Sequence, residues 1–155
     1  MSEWKAVRLV MLGVEDVSSA SAIEVALDKA EEVLSNADEE QVIFIVPVPE
    51  LIKHWLTTGH YRLVRAKYCA MASGLGVPVG VLMNIFRSLN SAVEWAHGCN
   101  SVSDEQKKQC FLRFGERLSA ELFAAALSRR CSCAIVTVID RSDAISSHFT
   151  VSLQT

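Results

Sequence analysis

Mainly apolar residues gather in three short runs, and in the longer stretches between them they recur every three or four positions. The runs are residues 6–12 (AVRLVML), 41–46 (QVIFIV) and 133–139 (CAIVTVI). Their β-branched content and polar flanks predict buried strands. Between the first two, Ile23, Leu27, Ala30 and Leu34 form a helical stripe that begins at Ser21 and Glu24, three apart as in a capping box, and ends near Asn36. Strand, helix and strand in close succession make a βαβ unit, with parallel strands and a right-handed crossover.

Residues 51–57, 61–73 and 81–96 carry helical patterns, broken at Thr58-Gly59 and at GLGVPVG, residues 74–80. Gly74, Gly76 and Gly80 suggest a phosphate loop, but such a loop follows a strand and opens a helix, whereas the segment before it here is helical. The spacing therefore predicts an inter-helix connection. Ser103 and Gln106 form a second capping box, with Asp104 and Glu105 in the first turn and Arg129 and Arg130 at the far end, as the helix dipole favours. Between them Phe111, Phe114, Leu118, Leu122 and Ala125 form a stripe for burial. Gly115 and Glu116 interrupt this long helix. An interior glycine costs about 1 kcal/mol relative to alanine, so Gly115 predicts the close approach of another backbone or a ligand, with Glu116 aimed at it. A short fourth strand is expected at residues 149–153.

Composition narrows the function. The chain has 155 residues, half of them apolar, which predicts a single domain over residues 1–155 with a substantial core. A net charge of −3 provides no basic face for nucleic acid or an anionic membrane surface. With no long apolar run and no basic, apolar leader, the expectation is a cytoplasmic protein without a membrane span. The five cysteines, at 69, 99, 110, 131 and 133, are odd in number and irregular in spacing, so they predict reduced thiols rather than disulfides. Cys131-Ser-Cys133 has no second pair to complete a metal set, and His54, His60, His97 and His148 keep no register with a nucleophile. Neither a metal nor a cofactor is expected, and no catalytic residue is assigned.

Three segments carry a family resemblance. Met11, Leu12, Gly13, Val14, Glu15, Asp16 and Val17 align without a gap to the KFGGTSV loop of aspartokinases, and SSASAIEVA continues the register. Phe114, Gly115, Glu116, Arg117, Leu118 and Ser119 match that family's F-G-E-x-L-S. The chain thus resembles the N-terminal half of an amino-acid kinase domain, and the implied fold is an α/β three-layer αβα sandwich with a mainly parallel sheet. In the family the loop lysine supports the transferring phosphoryl group, whose developing charge needs a fixed cation. Met11 stands at that position. Val14 replaces the second glycine, and Glu15 and Asp16 put two anions where an anionic substrate would lie. The second motif, S-A-x-x-G-x-T-N-L, falls on Val46 to His54. There Val46 and Ile52 replace two hydroxyls, and Pro47 and Pro49 remove two backbone donors.

The resemblance leaves Gly13 and Glu116 as vestigial substrate-binding candidates, with Glu116 implied to meet the substrate ammonium. By the same resemblance, the family's nucleotide-binding half is expected to be missing. The expected function is a catalytically inactive aspartokinase-like homologue serving as a binding or scaffolding subunit, with a homo-oligomer or protein partner at an exposed sheet edge. The losses weigh against an enzyme. One alternative is an ATP-dependent amino-acid kinase completed by a partner chain, and another is a small-ligand sensor that uses the relic pocket.

Overall fold

The computed structural model describes residues 7–37, 41–131 and 136–140. Strand β1 (Val7–Met11) leads through a 3-10 turn (Val14–Val17) to helix α1 (Ala20–Ser35), and strand β2 (Gln41–Val46) follows. Four helices come next, α2 (Glu50–Thr57), α3 (Tyr61–Leu75), α4 (Gly80–Gly98) and α5 (Asp104–Arg130), and then strand β3 (Val136–Asp140). The chain forms an α/β fold on a parallel sheet ordered β1-β2-β3. Residues 149–153 lie outside the described residues, as does the start of the third apolar run.

Period-two alternation gives each face of β2 its own apolar cluster. Val42, Phe44 and Val46 join the main core with Ile23, Leu27, Leu118, Leu122 and Phe123. Ile43 and Ile45 form a second buried cluster with Leu9, against which Ile139 packs. The buried hydrophobic residues of all five helices belong to the first cluster. Topology accounts for this one-sidedness: β1 to β2 to β3 advances in one direction, and two crossovers of the same hand return over the same face. Leu9, Ile43 and Ile45 on the second face are buried as well.

Local signals decide where the helices begin and end. Helix α1 starts earlier than Ser21 and Glu24 predict, because Ser19 is extended and its Oγ accepts the Ala22 N–H at 3.1 Å. Helix α5 begins as its capping box requires: Ser103 Oγ accepts the Gln106 N–H at 3.2 Å, and Gln106 Oε1 accepts the Ser103 N–H at 3.1 Å. Gly76 ends α3 in the left-handed conformation, φ 69°, so the glycine stretch is the inter-helix connection that the pattern predicts. Gly74 serves packing instead. A Cβ there would stand 2.9 Å from that of Ala20, where α3 crosses the start of α1.

Candidate functional site

The loop after β1 folds back on itself. Gly13 N–H donates to Asp16 Oδ2 at 2.8 Å, and Asp16 N–H returns to the Gly13 carbonyl at 3.1 Å. The Glu15 carboxylate also covers the glycine, with Oε1 2.7 Å from where a Cβ would sit. Asp16 therefore occupies the loop's own backbone donor, and the Glu15 carboxylate lies beside it. Leu12 N–H donates to the Ile45 carbonyl at 3.0 Å, which places Gly13 beside the end of β2, at the carboxyl edge of the sheet. Parallel α/β sheets bind ligands at that edge.

Apolar side chains fill the edge next to it. Val46, Pro47, Val48 and Pro49 are all buried, and Ile52 and Leu56 on α2 have no solvent exposure. They determine what Gly115 does. A Cβ on Gly115 would meet Leu56 Cδ1 at 2.7 Å, Val48 Cγ2 at 2.9 Å and Ile52 Cγ2 at 3.4 Å. The close approach that the sequence predicts is real, but its agent is neither a backbone nor a ligand. Side chains of α2 and of the preceding loop press into α5. Ile52 is among them.

Glu116 follows on α5 and is half-buried. Gly13 and Glu116 thus belong to segments that meet the same sheet edge, the first held within its own loop and the second on the turn of α5 that packs on α2. Ser119, the last residue of the third motif, has a structural partner that no spacing in the sequence predicts. Tyr68 Oη lies 2.6 Å from Ser119 Oγ and donates at 3.3 Å to the Gly115 carbonyl, all within the core. Burial raises the Tyr68 phenol above its ordinary pKa, and the bond to Ser119 only partly opposes this. The available signal was a serine on the apolar stripe of α5, since a buried hydroxyl needs a partner.

Pattern reading also missed a cavity of about 290 Å³ on another side of α5, walled by Cys110, Arg113, Phe114 and Arg117. Among the described residues, Cys69, Cys99, Cys110 and Cys131 are free thiols, and no three His, Cys, Asp or Glu side chains come together as a metal site requires. No described helix is long and apolar enough to cross a membrane. No protein-family model matches the chain, and no curated protein matches it.

Proposed function

We propose that this chain is an aspartokinase-like α/β domain that has lost phosphoryl transfer and serves in the cytoplasm as a binding or scaffolding subunit, self-associating through the edge of its sheet. The observation that carries this reading is the closed loop at Gly13. A phosphate loop works by presenting unoccupied backbone N–H groups to an anion. Here the Gly13 N–H is bonded to the Asp16 carboxylate, and Glu15 adds a second anion beside it. A phosphate would have to displace one carboxylate and overcome repulsion from both.

Two further features support the reading. The segment from Val46 to Pro49 is buried and apolar, and Gly115 is held by Leu56, Val48 and Ile52, so the surroundings of Glu116 serve helix packing. Residues preserved by the resemblance, Gly115 and Ser119, have packing and hydrogen-bonding roles that persist without catalysis. The test is aspartate-dependent ATP turnover by the purified chain. Turnover at the level of a no-protein control is expected; turnover above it that disappears in Glu116→Ala would overturn the proposal.

A further inference from the structure

We propose that the cavity on α5 walled by Cys110, Arg113, Phe114 and Arg117 binds a small organic oxyanion, a carboxylate or phosphate carried on a flat apolar group. These four residues stand at i, i+3, i+4 and i+7, so they form one continuous strip of the helix. At 3.6 residues per turn the strip is centred about 150° round the axis from Gly115. It is therefore a separate surface from the turn that packs on α2, and its occupancy is independent of whether the Gly13 loop is dead.

Charge identifies the ligand's polar end. Arg113 and Arg117 are both exposed and one turn apart, a like-charged pair that destabilises a helix slightly on its own. The chain has 18 acidic residues against 15 basic ones, yet neither guanidinium forms an ion pair with any described residue. Glu121 is spaced to pair with Arg117 one turn further along, and it does not. Arg130, by contrast, engages both Asp28 and Glu31 on α1. Two guanidinium groups on the wall of one cavity, with no ion pair among the described residues, match an oxyanion, which each can bind through paired N–H donors.

The rest of the wall sets the ligand's body. Phe114 is half-buried between the two arginines in sequence, and Cys110 adds a second apolar surface. Planar groups suit both the phenyl side chain and the guanidinium faces. A volume of about 290 Å³ is at the small end for ligand sites, which fits a single ring.

Calorimetric titration of the intact chain with phenyl phosphate, benzoate, inorganic phosphate and phenol tests the site. Saturable binding of phenyl phosphate or benzoate is expected at millimolar concentration or below, tighter than inorganic phosphate or phenol, and the better of the two identifies the oxyanion. Affinity should fall roughly tenfold or more in the Arg113→Gln, Arg117→Gln double variant. The double variant Arg62→Gln, Arg87→Gln, which makes the same charge change at exposed positions on α3 and α4, should bind as the parent does. Circular dichroism of both variants checks that α5 is intact. Absence of saturable binding to the parent, or equal weakening in the two double variants, would overturn the proposal.

Discussion

Tyr68 and Ser119 show how much one buried hydroxyl pair can control. Both lie within the core, 2.6 Å apart, and the tyrosine also donates to the Gly115 carbonyl. Removing one partner strands the other, whereas removing both leaves only shape to repair. Tyr68→Phe should therefore cost about 1–3 kcal/mol, and the double variant Tyr68→Phe, Ser119→Ala less than the sum of the single changes. Urea unfolding of the four proteins measures the difference. Alkali provides an independent check. Burial holds the folded phenol above its ordinary value of 10.0, so the unfolded chain loses this proton first. Stability from this group is complete below pH 10 and falls as pH rises above it, since the native state then binds more protons than the unfolded one. The parent should lose unfolding midpoint above pH 10 more steeply than Tyr68→Phe.

At the scale of elements, α5 organises the molecule by meeting α2 through a glycine and β2 through an aromatic pair. The Phe44 and Phe123 ring centroids are 5.6 Å apart, which fixes the helix over the middle strand. Gly115→Ala sets two known effects against each other. Helix propensity favours alanine by about 1 kcal/mol, while overpacking costs about 1–3 kcal/mol. The obstacles are Leu56, fully buried, and the stiff β-branched Val48, so the steric effect should win and the urea midpoint should fall. In a Leu56→Ala background the penalty should shrink or vanish, because the nearest obstructing atom is gone. The same helix marks what sequence can reveal. Its capping box, apolar stripe and terminal charges were legible because they are local, and so were the three described strands, which alternate or run apolar. What pressed on Gly115 was not legible: Leu56 and Val48 lie far away along the chain, and only the fold brings them to it. Nor was the closure of the Gly13 loop, because Glu15 and Asp16 read as repulsive charges until Asp16 is seen to cap its own turn.

At the scale of the whole molecule, the sheet order leaves β1 at an edge. Among the described residues β2 is its only strand partner, and its exposed side chains include Val7 and Met11, at 44% and 42% of full exposure. The strand has no proline, and its one charge, Arg8, lies on the helix-covered face with Val10 and Val42, away from Val7 and Met11. An edge with exposed apolar side chains invites another strand. A second copy is the simplest occupant. Two β1 strands related by a twofold axis run antiparallel, each presents the same surface to the other, and the contact closes at two subunits. The sheet would then continue across the interface, doubling its strands and covering Val7 and Met11. Light scattering coupled to gel filtration should accordingly give the mass of a dimer that dissociates on dilution. The double variant Val7→Lys, Met11→Lys places like charges on both facing strands at positions already exposed, so the fold should survive and the dimer should not. An unchanged mass for this variant, with its circular dichroism intact, would place any self-association elsewhere on the molecule.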